Sequence, residues 1–416
     1  MKNFDITRLR LHNQRLSTTT FQNPAEAVGW FGAVQSQDYG GAKWALSQRV
    51  QNASDASIEE AYNEGAILRT HVMRPTWHFV RPEDIRWMLA LTAPRINALC
   101  ATYYRKLELD TATFKRSNAL LTKNLQGGKQ LTRAELTALL QKNGIATADL
   151  LRFTYLIVRA ELDGVVCSGA RRGKQFTYAL LDDRAPQTRT LDRDAALALL
   201  TTRYFFSHGP ATIKDFVWWS GLTMADANKG LDSIRSQLIS EVENGQTYWF
   251  ANVTLAEVPS PTVHLLPDYD EYTVGYTDRS AIFDPANTQK LDSRGSELAQ
   301  YVIVIDGLIA GTWKRTIKRS EVVIELMRFR ALTKAEEQAI ADAAAAGQAS
   351  KDAIVQEARQ NREALLSEAR EEAARILERV RLEIQSQLTR ERELTLREAD
   401  AVAHDIVAKI LGRRVA

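Results

Sequence analysis

Two glutamines separated by a single residue, Gln35 and Gln37, are the first side chains in this sequence that could do chemistry together. Each amide has a carbonyl acceptor and two N–H donors, so a pair could hold a water molecule and accommodate a developing positive charge. The apolar segment over residues 27–34 predicts a helix that ends before Gly40, which would place both amides at a helix end. The ordinary alternative is that they only satisfy backbone groups there.

Three further polar side chains are candidates for positions near this pair. Asp38 could activate water as a general base, although an aspartate just before Gly40 more often forms a turn, and we favour the turn. His71 and His78 lie on two predicted strands, where we expect them to pack or to bond to the backbone. A role beside the site is the second interpretation for both histidines.

The strongest signal for nucleic acid is a basic turn that contains Arg171, Arg172 and Lys174. It lies between two predicted strands, so its charges would sit at a hairpin tip that can reach phosphates or a groove. A solvated surface turn is the alternative for so short a cluster.

No metal site is predicted. Asp268, Asp270 and Glu271 are close together, but they lack the glycine-containing loop of an EF-hand, and we favour a structural role at a strand turn. Cys100 and Cys167 are far apart and form no Cys-x-x-Cys pair, which argues against a zinc cluster or a disulfide framework.

Composition narrows the class of protein. The 416 residues are 45% hydrophobic and 25% charged, an ordinary balance for a chain of several globular domains. The net charge of +3 and the pI near 8.7 allow nucleic-acid binding without requiring it. No apolar run approaches the roughly 20 residues of a transmembrane helix, and the first residues lack the apolar part of a signal peptide. We expect a cytoplasmic protein without a membrane segment.

Helix and hairpin patterns that recur along the chain must position these residues. Short helices followed by two alternating strands, residues 68–72 and 76–80, indicate a winged helix over residues 1–95 that carries the two glutamines. The same order of patterns returns in residues 96–190, which include the basic hairpin, and again in residues 191–255. We interpret the three segments as tandem modules.

Capping boxes mark several of the predicted helix starts in these modules. In the third module, two helices joined by a short glycine turn are also typical of a helix-turn-helix. The predicted capping boxes are Ser57-x-x-Glu60, Thr132-x-x-Glu135 and Thr212-x-x-Asp215.

Beyond the three modules the patterns change. Residues 256–345 contain strands and the hairpin signal Asp306-Gly307, which predict a small β-barrel or sheet. Residues 348–416 are rich in Ala, Glu and Arg and predict one long helix. Its apolar residues recur every eleven positions, a period that favours a right-handed coiled coil, and a solvated single helix is the alternative. The predicted fold class is α+β: tandem winged-helix modules, a small β-barrel and a long C-terminal helix.

Four stretches, in order along the chain, match a known family: GAVQSQD at residues 32–38, RTHVMRPTWH at 69–78, GKQFTY at 173–178 and LLPDYDEY at 265–272. On these motifs residues 1–345 resemble the AlkZ-like winged-helix DNA glycosylases. The resemblance implies tandem winged helices followed by a β-barrel. It also implies excision of alkylated purines from DNA, including cross-linked ones in some members, without a metal or other cofactor. In that family a Gln-x-Gln pair is the catalytic motif, which corresponds to Gln35 and Gln37.

The favoured function is therefore a monofunctional DNA glycosylase that removes N7- or N3-alkylated purines from double-stranded DNA. Such a base is already cationic and leaves readily, so two neutral amides would suffice and a strong general acid is unnecessary. The alternative is a transcription regulator that reads operators through the helix-turn-helix over residues 214–231. Its second helix offers only Asn228 and Lys229 to base edges, which weakens that alternative.

The tail resembles a different family. Its Glu-Ala-Arg repeats, its eleven-residue period and the ending AKILGR at residues 408–413 are similar to the peripheral-stalk helix of ATP synthase subunit b. The membrane anchor of subunit b is missing, because the winged-helix region stands in its place. The resemblance implies a helix that self-associates or binds a partner helix.

Overall fold

The computed structural model describes residues 4–18, 21–147, 149–186, 189–255, 257–291, 300–317, 322–345, 392, 394 and 396–409. The chain divides into two compact units, Met1–Lys351 and Asp352–Ala416. Helices and sheets are mixed throughout the first unit, which confirms the α+β class at the level of secondary structure.

The first group of elements is four helices and an antiparallel sheet of three short strands in the order β1-β3-β2. Its core is formed by apolar side chains of α2, α3, α4 and the sheet. The elements are α1 Ile6–Asn13, α2 Pro24–Phe31, β1 Val34–Gln35, α3 Tyr39–Ser47, α4 Asp55–Glu64, β2 Leu68–His71 and β3 Trp77–Val80.

The helix that precedes the glutamine pair ends earlier than predicted. Asn23 caps α2 by accepting a hydrogen bond from the Glu26 amide, and Gly32, at φ 87°, terminates the helix. The next residues are extended, and Gln35 pairs with His78 of β3. The prediction that both glutamines lie at a helix end is therefore wrong: Gln35 is on an edge strand and Gln37 follows it.

The second group repeats the order of helices and then a hairpin. Its three strands form an antiparallel sheet in the order β4-β6-β5. Helix α5 is continuous across the predicted module boundary at residues 95 and 96. The elements are α5 Ile85–Lys106, α6 Thr111–Leu125, β4 Leu131–Thr132, α7 Arg133–Lys142, α8 Leu150–Leu162, β5 Val166–Ser168, β6 Thr177–Leu180 and α9 Leu181–Arg184.

The third group contains three helices and the hairpin β7-β8. Its core is continuous with that of the second group, so these two groups are not independent packing units. The elements are α10 Arg193–His208, α11 Ile213–Ser220, α12 Met224–Ile234, β7 Leu238–Glu243 and β8 Gln246–Ala251.

Two of the three predicted capping boxes are confirmed. Thr132 and Thr212 each accept a hydrogen bond from the amide three residues on, and the carboxylate of that residue bonds back to the cap. The predicted start at Ser57 is wrong, because Ser54 caps α4 and Ser57 supplies the reciprocal hydrogen bond.

The turn between α11 and α12 touches the β2-β3 hairpin with no side chain in between. Gly221 has φ 68° there, and a Cβ at this position would lie 2.3 Å from the carbonyl oxygen of Met73. Met73 itself has a positive φ of 64° at the hairpin turn. Only glycine permits this approach of the two backbones.

The last group in the first unit is a four-stranded antiparallel sheet in the order β9-β10-β11-β12. The predicted hairpin at Asp306-Gly307 is confirmed between β10 and β11, with positive φ at both residues. The elements are β9 Val263–Leu266, α13 Glu271–Val274, β10 Val302–Ile305, β11 Leu308–Ile317, β12 Val322–Arg328 and a helix over residues 334–345.

This sheet corrects the prediction of a small β-barrel. Within the described residues β9 and β12 are opposite edges and do not pair, so the sheet is open. Separate apolar clusters cover its two faces, with Val302 and Val304 on one side and Ile303 and Ile305 on the other. Because other elements bury both faces, the inner strand β10 is apolar at all of its positions although the sheet does not close on itself.

The tail prediction falls mostly outside the described residues. Residues 396–409 are helical, and Leu396, Val402 and Ile406 are exposed on that helix. Over the described part of the chain, we find no helix with the length and apolarity that crossing a membrane requires.

A buried ion pair fixes the segment before α13 to the first group. Both guanidinium NH groups of Arg49 donate to the carboxylate of Asp270, at 2.9 Å and 2.8 Å. The two side chains are almost completely buried. Removing one member of such a pair leaves the other charge in the protein interior without compensation.

We expect Arg49→Ala to lower the free energy of unfolding by about 3–5 kcal/mol, because it strands the Asp270 carboxylate. Urea unfolding followed by tryptophan fluorescence measures the change. Arg235→Ala, which removes an exposed pair with Asp232, is the matched control and should cost less than about 1 kcal/mol. Equal effects of the two substitutions would contradict this role for the buried pair.

Candidate active site

Gln35 is fixed at both its backbone and its side chain. Its backbone N–H donates to Oε1 of Glu271 at 2.7 Å, and its side-chain carbonyl accepts a hydrogen bond from Arg74 at 2.8 Å. The residue is only 7% exposed. The side chain of Gln35 is therefore held in one orientation at the edge of the β1-β3-β2 sheet.

Glu271, at the start of α13, is a buried carboxylate with donors from three directions. Besides the Gln35 amide, Trp219 donates to Oε2 through its indole N–H at 2.8 Å. The ring Nε2 of His208 lies 3.2 Å from the same oxygen. Burial by itself would raise the pKa of Glu271, but the hydrogen bonds from His208, Gln35 and Trp219 outweigh it and hold that pKa below the ordinary carboxyl range.

Arg74 bonds the Gln35 side chain and lies within electrostatic range of the Glu271 carboxylate. It lies at the turn of the β2-β3 hairpin, which contacts Gly221 of the third group. Burial lowers the pKa of Arg74, and the negative charge of Glu271 opposes that shift. A half-buried cation and a buried anion thus flank Gln35, and their opposite charges partly compensate each other.

The side chain of Gln37, unlike that of Gln35, lies at the surface. Its side chain is exposed, and its carbonyl accepts a 3.4 Å hydrogen bond from the backbone N–H of Trp77. Ser36, between the two glutamines, is held by its backbone: its amide donates to the Trp77 carbonyl, and its carbonyl accepts two hydrogen bonds from Arg69. The segment therefore directs one amide inward and the other toward solvent.

Asp38 caps α3. Its carboxylate accepts hydrogen bonds from the Gly40 amide at 3.0 Å and from the Tyr301 hydroxyl at 3.0 Å. Both oxygens thus have donors, which is the arrangement expected of a residue that starts a helix.

The two histidines lie close behind the glutamine segment. The Nδ1 of His71 forms a short hydrogen bond with the buried carboxylate of Glu161, and the ring packs against Trp77 with centroids 4.1 Å apart. His78 is buried beside Gln35 in the sheet, and its Nδ1 bonds to the Thr76 carbonyl at 3.0 Å. Burial, reinforced by the charge of Arg74, holds the pKa of His78 well below its ordinary value, so this ring is neutral at physiological pH.

The basic hairpin tip is only partly free. The Arg171 guanidinium packs over Tyr39 and Phe176 at 5.0 Å and 4.7 Å, and the arginine is mostly covered. Arg172 is exposed but pairs with Glu135 at 2.8 Å. Lys174 is exposed. The three cations are neighbours at the tip, and Arg172 and Lys174 are the two that face solvent.

The acidic cluster over residues 268–271 serves structural purposes. Asp270 pairs with Arg49, and Glu271 accepts the hydrogen bonds described above. No group of three His, Cys, Asp or Glu side chains arranged to hold a metal ion occurs among the described residues. Cys100 and Cys167 are both buried and unbridged.

Sequence reasoning did not assign the two residues that hold Gln35. Both lie within the quoted motif stretches, but the sequence gives Arg74 no role and Glu271 only a structural role at a strand turn. A positively charged residue at a hairpin turn gives no sign of its partner, and a carboxylate 236 positions from Gln35 gives none either. The tertiary fold brings them together, since the turn of the β2-β3 hairpin carries Arg74 to Gln35 and the start of α13 carries Glu271.

The comparisons with known proteins concern the family and the fold. Residues 28–350 match the family model described as DNA glycosylase AlkZ-like. An interstrand DNA cross-link repair glycosylase from Streptomyces sahachiroi is 25% identical over 321 residues, which cover 73% of this chain and 85% of that protein. The solved structure of the Streptomyces sahachiroi DNA glycosylase AlkZ superposes with a TM-score of 0.68 at 22% identity, covering 82% of this chain and 94% of that one.

The chain belongs to the AlkZ-like DNA glycosylase family. It is accordingly an enzyme that hydrolyses N-glycosyl bonds in DNA, which favours the enzyme over the transcription regulator considered from the sequence. The structural likeness to the Streptomyces enzyme supports the fold.

The Glu271 carboxylate should make stability depend on pH. Its folded pKa is lower than its unfolded pKa, so its contribution is complete above the unfolded value of roughly 4.3 and is lost as pH falls through the folded value. We expect Glu271→Gln to destabilise by about 1.5–3 kcal/mol at pH 7 and by less at pH 4. Urea unfolding at the two pH values measures both differences.

Glu241→Gln, which changes an exposed carboxylate on β7, is the control for this experiment and should be close to neutral at pH 7. A Glu271→Gln penalty of the same size at both pH values would show that the charge of Glu271 does not matter to the fold.

Proposed function

We propose that this chain hydrolyses the N-glycosidic bond of cationic alkylated purines in double-stranded DNA, with water as the nucleophile. The observation that carries the proposal is the exposed amide of Gln37 beside the fixed amide of Gln35. An N7- or N3-alkylpurine is a cation that leaves as a neutral base, so the protein need not protonate it. What remains is to place a water molecule and to stabilise positive charge at the sugar.

The two amides have different roles in this proposal. The carbonyl of Gln37 accepts one weak, 3.4 Å hydrogen bond and is open to solvent, so it can bind the attacking water and approach the sugar. The carbonyl of Gln35 is occupied by Arg74, so Gln35 acts through its NH2 group and by holding the shape of the segment. Neither amide changes charge during the reaction, because a carboxamide does not ionise at physiological pH.

We include interstrand cross-links among the proposed substrates. The Streptomyces relative is named as a cross-link repair glycosylase. An exposed Gln37 can reach a lesion at the protein surface, without the lesion having to enter a closed cavity. A cross-linked purine stays tied to the opposite strand and benefits from such an open arrangement.

We propose that the three helix-and-hairpin groups act as winged helices on the DNA backbone, with Arg172 and Lys174 contacting phosphates. Both side chains are exposed at the tip of the β5-β6 hairpin. Arg171 supports the tip from inside by packing on Tyr39 and Phe176. Phosphate contacts of this kind position the protein without reading sequence.

For the tail we propose a separate role as a helix that pairs with a second helix. The exposed apolar side chains of Leu396, Val402 and Ile406 in its described part support pairing, since an isolated soluble helix has little reason to carry them. The similarity to ATP synthase subunit b stays a prediction.

We expect Gln37→Ala to reduce release of N7-methylguanine from duplex DNA by about 10²-fold or more, because the water loses its acceptor. Gln35→Ala combined with Gln37→Ala should abolish measurable release. Chromatography of the free base under single-turnover conditions measures both. Gln126→Ala, an exposed glutamine after α6, is the control. Unchanged release by the double variant would overturn the proposed site.

We expect Arg172→Gln with Lys174→Gln to weaken DNA binding and to flatten its salt dependence. Each lost phosphate contact reduces the slope of log K against log salt by about 0.9, so the double variant should lose between about 0.9 and 1.8. Fluorescence anisotropy across a salt series gives the slope. Arg105→Gln with Lys106→Gln removes the same charge from the exposed end of α5 and should leave the slope unchanged. Identical slopes for both double variants would exclude the hairpin from the interface.

A further inference from the structure

Two adjacent tryptophans on α11 have different environments. Trp219 is 0% exposed, and its indole N–H donates to the Glu271 carboxylate. Trp218 is 41% exposed. Because tryptophan has the largest aromatic side chain, covering the exposed part of its ring with a flat partner would remove a large apolar area from water. The ring of Trp218 is therefore available to a ligand, whereas that of Trp219 is used inside the protein.

The Trp218 ring is held in one orientation although it lies at the surface. Its indole N–H donates to the backbone carbonyl of Val274, the last residue of α13, at 3.0 Å. The guanidinium groups of Arg74 and Arg279 each lie 5.8 Å from the centre of the ring. A ring whose polar group is already satisfied and whose orientation is fixed loses little conformational freedom when a flat partner stacks on it.

A single arginine side chain separates this ring from the glutamine segment. Arg74, which contacts the indole, also donates to the side-chain carbonyl of Gln35 at 2.8 Å. Helix α13, whose last residue accepts the indole N–H, begins with Glu271, and the carboxylate of Glu271 bonds the Gln35 backbone. Two separate connections thus fix Trp218 relative to Gln35. A base that touches the ring therefore belongs to a nucleotide close to the one whose sugar faces Gln37.

Cations lie around the exposed ring. Arg74 and Arg279 flank it. Lys214 is exposed and precedes Trp218 by four residues on α11, which places both side chains on the same side of the helix. Proteins that bind opened nucleic-acid strands combine an aromatic ring, on which a base stacks, with Lys and Arg side chains that attract the backbone. The surroundings of Trp218 have both components.

We propose that Trp218 stacks on a base of a base pair next to the lesion and so positions the damaged nucleotide with its sugar toward Gln37. The inference rests on the proposed function and adds a residue that positions the substrate. The competing role for Trp218 is internal, as an apolar cover for Arg74. That role would not require a flat ring, and it leaves the exposed part of the indole without a use.

The test removes the ring and its proposed partner separately and together. Duplexes carry N7-methylguanine and, in turn, a tetrahydrofuran abasic analogue at each of the four bases of the two flanking base pairs. We expect Trp218→Ala to lower the single-turnover release rate from the intact duplex by about 10-fold. The analogue at the contacted position should lower the wild-type rate by a similar factor, but the Trp218→Ala rate by less than about twofold, because that contact is already lost.

Two further variants separate stacking from an internal role. Trp218→Leu keeps an apolar side chain beside Arg74 but has no flat ring, so we expect its rate to be as low as that of Trp218→Ala. It also provides the second measurement if Trp218→Ala does not fold. Tyr103→Ala removes an exposed aromatic ring from α5 and should leave the release rate unchanged.

Two results would overturn the inference while leaving the proposed function intact. One is that the abasic analogue changes the rates of the wild type and of both Trp218 variants by the same factor at all four positions. The other is a wild-type release rate for Trp218→Leu, which would make Trp218 only a cover for Arg74. Failure of the wild type to release N7-methylguanine from the intact duplex would instead overturn the proposed function itself.

Discussion

The hydrogen bonds to the Glu271 carboxylate set the geometry of the whole site. This one buried charge receives donors from the Gln35 backbone on β1, from His208 at the end of α10 and from Trp219 on α11. A buried carboxylate is tolerated only when such donors compensate it, so displacing any of these elements would expose an uncompensated charge in the interior. The start of α13 thereby ties the first and third groups of elements together at the glutamine segment. The position of the Gln35 backbone is therefore fixed by the Glu271 carboxylate, to which the other elements also bond.

Next to Glu271, the segment from Gln35 to Gln37 combines one fixed side chain with one that is accessible to solvent. Gln35 is inside, with its backbone and its side chain both bonded, whereas Gln37, two residues later, is exposed and lightly held. Strand alternation alone would put residues two apart on the same face, but β1 ends at Gln35 and Gln37 lies in the bend before α3. An amide that binds water must be accessible to solvent and substrate, and its backbone must stay in a fixed position. The structure meets both needs within three residues because Ser36 is anchored through its own amide and carbonyl.

Local sequence signals predicted local structure well and long-range contacts poorly. The caps at Thr132 and Thr212 and the Asp306-Gly307 turn depend on neighbouring residues, and each of these predictions is confirmed. The sequence places the glutamine pair at a helix end, because an apolar run that includes Val34 has no periodicity to show that Gly32 ends α2. Strands with both faces buried also look alike in open sheets and in barrels. The partners of Gln35 could not be predicted, since pairing with Arg74 and Glu271 is decided by tertiary packing.

The backbones of Gly221 and Met73 are in direct contact, so the α11-α12 turn packs against another part of the same protein. This turn has the pattern of a helix-turn-helix, a motif whose second helix usually contacts the bases of DNA. Here its glycine supports the hairpin that presents Arg74, with no compressible side chain between the two backbones. Because no side chain separates the two backbones, a shift of α11 would press on Met73 and move the hairpin turn whose Arg74 bonds Gln35. The turn therefore limits how far the β2-β3 hairpin can move. In this way it helps to fix the position of Gln35, which belongs to a different part of the chain.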